Sequence, residues 1–150
     1  EKRNQIFIAT KFGFRLRNSQ GSVFVGGDSY VDASPRYVKQ AVENSLKRLN
    51  IETIDLYYAH RIDPTIPIEE TVEAMAELVK EGKVRYLGLS ECSSESLKRA
   101  CNVHPISAVE SEYSLLTHDV EKEILPLTKE LGVTLVPFSP LGRRFSNKYY

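Results

Sequence analysis

Lysine and histidine side chains stand at the ends of two apolar runs in this chain, where ordinary turn residues would be expected. Lys11 follows the run "IFIAT", and His60 ends the run "DLYYAH". An ammonium group and an imidazole can stabilise negative charge on oxygen and transfer protons. Taken singly, a solvent-exposed lysine and a structural, hydrogen-bonding histidine are the commoner explanations. The chemical interpretation therefore depends on whether the fold brings the two residues together.

Strand-like and helix-like patterns alternate along the chain. Five runs are almost continuously apolar or aromatic, which is typical of strands buried on both faces of a parallel sheet. These runs cover residues 6–10, 55–60, 84–90, 108–113 and 134–139. Four helical patterns lie after the first run, with start or stop signals at Ser34-Pro35, at Pro67 and Gly82, at Ser93, and at Thr117 and Gly132. Pro126 lies inside the fourth pattern and predicts a kink there.

This alternation predicts a parallel α/β architecture, either an open doubly wound sheet or a β/α barrel. A doubly wound nucleotide-binding sheet should have a glycine-rich turn directly between a strand and a helix. The only comparable segment, "FVGGDS" at 24–29, lies in the middle of a long loop, so the barrel is favoured. A loop of that length in a compact domain is usually functional or mobile.

In a β/α barrel the active site lies at the carboxyl ends of the strands. The polar or aromatic residues found there are Lys11, His60, Ser90 with Glu91, Glu110 to Tyr113, and Phe138 to Gly142. Two of them have good structural alternatives, because Ser90 could cap the following helix and Phe138 could belong to the core. Their occurrence on successive strands favours a shared site.

The composition indicates a soluble, single-domain protein of the reducing cytoplasm. Twenty basic residues balance twenty acidic ones, so no net field attracts nucleic acid or anionic lipid. No apolar run is long enough to span a membrane, and the two cysteines lack metal-site or redox spacing. The chain begins at Glu1, and its one methionine is Met75. We therefore expect residues 1–150 to be processed or to be part of a longer protein.

Five motifs together resemble the aldo-keto reductases, in particular the branch with a His-Arg-x-Asp stretch. They are "IATKFG", "DLYYAHRID", "EGKVRYLGLSE", "VESEYSLL" and "VPFSPLGR", and the resemblance covers residues 6 to 143. It implies a (β/α)8 TIM barrel, of which the five predicted strands would be the third to the seventh. It also implies reduction of small aldehydes or ketones by NADPH, without a metal. The oligomeric state stays open.

The resemblance assigns two catalytic roles within this chain. Lys11 matches the family lysine, whose ammonium lowers the pKa of a catalytic tyrosine, and His60 matches the histidine that hydrogen-bonds the carbonyl oxygen. The family's tyrosine and aspartate would precede Glu1. A chain with five of eight strands would leave two sheet edges exposed, so we predict that it is poorly stable and inactive by itself.

The resemblance also implies a set of cofactor-binding residues, namely Ser90, Glu91, Glu110, Phe138, Ser139, Leu141 and Arg143. Glu91 replaces a frequent asparagine, and Phe138 replaces a tyrosine that stacks on the nicotinamide. Glu110 replaces a glutamine, and a carboxylate cannot donate the hydrogen bond that an amide donates. Ser139, Leu141 and Arg143 match a loop along the pyrophosphate.

Two other functions remain open at the level of the sequence. The first is a non-enzymatic binding subunit, similar to the potassium-channel β subunits, which keep the fold and the cofactor pocket. The second is an inactive truncated product. Two features favour it, namely Glu110 in place of the family's glutamine and a tail that departs from the family pattern from Arg144 onward.

Overall fold

The computed structural model describes residues 2–17 and 28–142 of the chain, which form a parallel sheet covered on one face by helices. The sheet strands are β1 (Ala9–Phe12), β4 (Ile54–Ala59), β5 (Val84–Ser90), β6 (Ala108–Glu112) and β7 (Thr134–Phe138), and β2 (Phe14–Leu16) pairs with β3 (Ser29–Val31) in a separate antiparallel ribbon. The helices are α1 (Pro35–Leu49), α2 (Ile68–Lys80), α3 (Ser94–Val103) and α4 (Ile124–Leu131). Short 3₁₀ turns lie at Arg3–Gln5 and Asp119–Glu121.

The strand order in the sheet is β1-β4-β5-β6-β7, and all four pairings are parallel. Each strand therefore lies beside the next sheet strand in the chain, with a helix as the crossover between them. The predicted alternation of parallel strands and helices is confirmed. In such a sheet the carboxyl ends of all strands meet at one edge, which is where the candidate residues were predicted to lie.

The predicted cap residues begin two of the helices. The Ser34 side chain accepts a hydrogen bond from the Tyr37 N–H at 3.3 Å, and Pro35 occupies the first turn of α1. Ser93 accepts from the Ser96 N–H at 3.1 Å at the start of α3. The alternative role of Ser90 as the cap of this helix is therefore wrong.

Three details of the predicted elements are corrected by the structure. The first strand begins at Ala9, so Lys11 lies inside β1 rather than after it. The long loop after it contains the β2–β3 ribbon, although most of "FVGGDS" lies outside the described residues. The fourth helix begins only at Ile124, which places Pro126 in its first turn. Pro126 therefore removes no intrahelical hydrogen bond, because the N–H groups of a first helical turn have no partner within the helix.

The two faces of the sheet have different roles. The face toward the helices carries the main core, whose largest fully buried side chains include Tyr57, Leu87 and Leu89 on strands and Met75 and Leu78 on α2. The opposite face is concave and carries a small apolar cluster of Leu56, Tyr58 and Ala108, with Val136 beside it. No helix among the described residues has the length and apolarity required to cross a bilayer.

Candidate active site

Lys11 and His60 lie on neighbouring strands and on the same face of the sheet. Lys11 is the parallel partner of Tyr58, and His60 follows two residues later, so side-chain alternation places all three on the concave face. The His60 N–H donates to the Phe12 carbonyl at 2.8 Å, which extends the pairing of the two strands past the end of β4. Both residues also line a cleft of about 280 Å³, but its other walls include Tyr37, Ala41 and Asn44 of α1, so this cleft is bounded by the helix beside β1 and does not lie on the concave face. The structure thus places the two residues on neighbouring strands and on one face of the sheet.

The environment of His60 keeps its imidazole neutral at physiological pH. Burial is the main cause of its lowered pKa, and the positive charges of Lys11 and Arg61 lower the pKa further. Glu110 acts in the opposite direction but does not outweigh them. The Phe14 ring packs edge-on against the imidazole, with 4.8 Å between ring centroids. A neutral imidazole held in this way can donate one hydrogen bond to a substrate oxygen.

An ion pair between Lys11 and Glu110 crosses the concave face. The two residues belong to β1 and β6, which are separated by β4 and β5 in the sheet. In a flat sheet three strand spacings would separate them by about 14 Å. The contact between their side chains therefore reports strong curvature toward this face. Glu110 was predicted to bind the cofactor, but in this structure its carboxylate is paired with Lys11.

Tyr58 lies beneath this ion pair. The Lys11 Nζ is 5.9 Å from the centroid of the Tyr58 ring, and burial together with the Glu110 charge raises the pKa of Tyr58 to about 12. Gly88 on β5 makes room for the ring, since a Cβ at that position would overlap its edge. The phenol therefore stays protonated and forms part of the floor of the site.

Arg61 connects two of the predicted site residues and was not itself predicted to be one. Its Nη1 donates to the His60 carbonyl at 2.7 Å and to the Ser90 Oγ at 3.4 Å. Ser90 ends β5, is only 1% exposed and is the parallel partner of Glu110, so it lies on the same face of the sheet as that residue. The signal available in the sequence was the position of Arg61 directly after the histidine in "DLYYAHRID".

Asp63 fixes the loop that follows His60. Its buried carboxylate accepts hydrogen bonds from the Ala33 N–H at 3.1 Å, the Thr65 N–H at 2.9 Å and the Thr65 hydroxyl at 2.6 Å. The carboxylate therefore ties the loop after β4 to the segment that enters α1. Within the His-Arg-x-Asp stretch, the aspartate has a structural role at the rim of the site.

The family of the chain follows from comparison with known proteins. The model described as "Aldo/keto reductase family" matches residues 1–150. This chain belongs to the aldo/keto reductase family. The Glycine max protein named "Probable aldo-keto reductase 1" is 52% identical over 143 residues, a match that covers 95% of this chain and 39% of that protein. The chain thus spans about two fifths of the length of the curated relatives it matches.

Solved aldo-keto reductase structures confirm the predicted barrel type. A glycerol dehydrogenase from Gluconobacter oxydans superposes with a TM-score of 0.87 at 31% identity, over 95% of this chain and 43% of that one. An aldo-keto reductase from Bacillus halodurans, solved in its holo form, gives 0.82 at 37% identity, over 95% and 45%. The five parallel strands described here correspond to part of such a barrel.

Three of the residues predicted to bind the cofactor, Phe138, Ser139 and Leu141, lie at the carboxyl end of β7 and in the turn that follows it. Phe138 ends β7 opposite Glu112 and is half-buried. A turn follows it, in which Ser139 and Gly142 have φ of 50° and 54° and the Gly142 N–H donates to the Ser139 carbonyl at 2.9 Å. Leu141 at its tip is 61% exposed, and Arg143 lies outside the described residues.

These residues fit a nicotinamide cofactor of an aldo-keto reductase in part. A buried hydroxyl at Ser90 and a half-buried aromatic face at Phe138 suit a carboxamide and a planar ring. Glu91 has φ of 52°, and its carboxylate accepts from the Glu112 N–H at 2.9 Å, so it stabilises the rim between β5 and β6. Glu110 does not fit the role of an amide, because its carboxylate has no N–H to donate and is paired with Lys11.

Proposed function

We propose that this chain contributes the Lys–His portion of an active site that reduces an aldehyde or ketone to an alcohol with NADPH. Membership of the aldo/keto reductase family supports an oxidoreductase. The observation that carries the proposal is the placement of Lys11 and His60 on the same face of the sheet, on adjacent parallel strands. A cytoplasmic location belongs to the same proposal, which the two free cysteines support.

His60 is the residue that orients the carbonyl group in this proposal. Hydride addition builds negative charge on the carbonyl oxygen, and a hydrogen-bond donor aimed at that oxygen stabilises the charge. The neutral imidazole supplies such a donor without protonating the substrate prematurely. Burial, which lowers the pKa of His60, thereby keeps it in the form that the role requires.

Lys11 supplies the positive charge of the site. An ammonium group beside a phenol lowers the pKa of the phenol and makes it a better proton donor near neutral pH. In the proposal this phenol and an aspartate come from sequence outside these 150 residues. Tyr58 is not the proton donor, because its pKa is raised to about 12 rather than lowered.

The nicotinamide ring, when bound, supplies the hydride. Ser90 would hold its carboxamide, and Phe138 would support one face of the ring. The backbone of the turn from Ser139 to Gly142 would lie along the pyrophosphate, with Leu141 and Arg143 beside it. Backbone N–H groups in turns with positive φ suit anionic oxygens, and Ser139 and Gly142 have this conformation.

One observation favours a second function, that of a binding subunit that keeps the cofactor pocket without turnover. The ammonium of Lys11 is already paired with a carboxylate, and an ammonium compensated in this way acts less strongly on a phenol. Turnover measurements separate the two functions, since both would bind the cofactor.

The test is a cofactor titration followed by turnover assays on the protein that contains this chain within a complete barrel. We expect NADPH to bind more tightly than NADH, and Lys11→Met to reduce turnover by about 10²-fold or more while cofactor binding is kept. Lys39→Met is the matched control, because Lys39 is an exposed lysine of α1 that pairs with Glu77 away from the site. Unchanged turnover in Lys11→Met would remove the proposed mechanism.

A further inference from the structure

The guanidinium of Arg61 contacts two residues that the proposed function assigns to different ligands. Its Nη1 donates to the His60 carbonyl at 2.7 Å and to the Ser90 Oγ at 3.4 Å. His60 is the proposed carbonyl-binding residue, and Ser90 is the residue proposed to hold the nicotinamide carboxamide. Arg61 therefore connects the substrate side of the site with the cofactor side.

The surroundings of Arg61 support its side chain in this place. The Phe14 ring lies 5.9 Å from the guanidinium carbon, which is within the range of a cation–π contact. The same ring packs against the His60 imidazole. Two residues after Arg61, the buried carboxylate of Asp63 ties down the loop that carries it. Both the loop and the β2 strand thus hold the guanidinium beside Ser90.

A guanidinium determines where the hydrogen of the Ser90 hydroxyl can point. Arginine has five N–H donors and no acceptor, whereas a serine hydroxyl has one donor and two acceptor lone pairs. Because Arg61 donates to the Ser90 Oγ, the hydroxyl hydrogen must point elsewhere. Among the described residues, none accepts a hydrogen bond from this hydroxyl, although Ser90 is only 1% exposed. The hydroxyl is therefore left as a donor for the oxygen of a bound group.

We propose that Arg61 is a positioning residue, which turns the Ser90 hydroxyl toward the carboxamide oxygen of a bound nicotinamide and holds the backbone of His60 beside it. The assignment of the carboxamide to Ser90 rests on the proposed function. In this role Arg61 acts through Ser90 and His60, without a contact of its own to the reacting atoms.

The positive charge of Arg61 has a separate effect, which falls on the imidazole of His60. Burial is the largest cause of the lowered pKa of His60, the charges of Lys11 and Arg61 lower this pKa further, and Glu110 raises it. Removal of the Arg61 charge should therefore raise the pKa of His60, whereas a lysine at position 61 should keep it near the wild-type value. Two variants thus separate the hydrogen bonding of Arg61 from its charge.

The experiment measures cofactor binding by the protein that contains this chain within a complete barrel. NADPH is compared with adenosine 2′,5′-bisphosphate, the part of NADPH that lacks the nicotinamide. In Arg61→Met we expect the affinity for NADPH to fall about threefold to tenfold, as for one lost hydrogen bond, with binding of the bisphosphate unchanged. Arg61→Lys keeps a cationic donor but not the planar guanidinium, so it should recover only part of the affinity for NADPH.

The imidazole NMR signal of His60, assigned by its loss in His60→Gln, gives a measurement that needs neither cofactor nor turnover. The pKa of His60 should rise in Arg61→Met and stay near the wild-type value in Arg61→Lys, because only the first variant removes the charge. A purely structural role of Arg61 would change this pKa in both variants alike. An unchanged pKa of His60 in Arg61→Met would contradict the placement of Arg61 beside the imidazole.

Arg99→Met is the matched control, because Arg99 is an exposed arginine of α3 that pairs with Glu69 away from the site. It should bind both ligands like the wild type. If Arg61→Met weakens NADPH and the bisphosphate equally, or weakens neither, the inference is overturned. If Arg61→Met does not fold, Arg61→Lys takes its place, and wild-type affinity for NADPH in that variant would overturn the inference.

Failure of this inference and failure of the proposed function are distinguishable. A wild-type protein that binds no NADPH would overturn both. Unchanged turnover in Lys11→Met would overturn the proposed mechanism alone. NADPH binding by the wild type that Arg61→Met leaves unchanged would overturn only the role of Arg61.

Discussion

At the scale of single residues, Asp55 makes the strongest prediction about stability. It is 1% exposed, accepts from the Ile8 N–H at 2.8 Å and pairs with Arg3 and Arg85 at 2.8 and 2.9 Å. Burial alone would raise its pKa, but these partners outweigh burial and lower the pKa. The ionised Asp55 therefore stabilises the folded state fully at pH values above the ordinary carboxyl pKa. This stabilisation is lost as the pH falls through the lowered pKa of Asp55.

We expect Asp55→Asn to lower the free energy of unfolding by about 1–3 kcal/mol at neutral pH. The difference from the wild type should shrink as the pH falls below about 4, because protonation of Asp55 removes the same interactions from the wild type. Urea unfolding over a pH series measures both quantities. A difference that stays constant over the series would mean that the carboxylate charge is not the cause.

At the scale of elements, the contact of β4 with β5 depends on the absence of a side chain at Gly88. A Cβ there would overlap the ring of Tyr58, which in turn lies beneath Lys11. We expect Gly88→Ala to cost about 1–3 kcal/mol of stability and to shift the His60 NMR signals, since the ring must move. In a double-mutant cycle, adding Tyr58→Leu to Gly88→Ala should restore part of the lost stability. If the stability losses of the two single variants simply add in the double variant, the proposed clash is contradicted.

At the scale of the whole molecule, the described sheet has two edges. β1 and β7 each have a neighbouring strand on one side only, and Phe7 and Tyr86 are 62% and 50% exposed near the concave face. Unpaired strand edges promote association between chains. We predict that these 150 residues alone are weakly stable and self-associate, as measured by urea unfolding and analytical ultracentrifugation.

The isolated 150 residues are to be compared with a longer protein that contains the same segment together with the strands that close the barrel. That protein should be monodisperse and should unfold at a higher urea concentration. A soluble, monomeric 150-residue chain that reduces a carbonyl compound would contradict the prediction, because it would show that the two edges need no further strands.

The order of the elements and most of their boundaries were predictable from the sequence, because their signals are local. Each of these signals affects only the few residues around it. Examples are the apolar runs, the helix caps Ser34 and Ser93, and the helix stop at Gly132. The fourth helix was placed too early because its amphipathic pattern continues through the 3₁₀ turn before Ile124. The β2–β3 ribbon was missed because its pairing joins residues on opposite sides of a long loop.

The sequence by itself determined the parallel α/β order and the placement of Lys11 and His60 at one edge of the sheet. Strand direction and side-chain alternation follow from the chain without knowledge of its curvature. Only the tertiary structure decided that Glu110, 99 residues from Lys11, neutralises it. The curvature of four strands sets that distance, and curvature arises from the packing of every helix and strand at once.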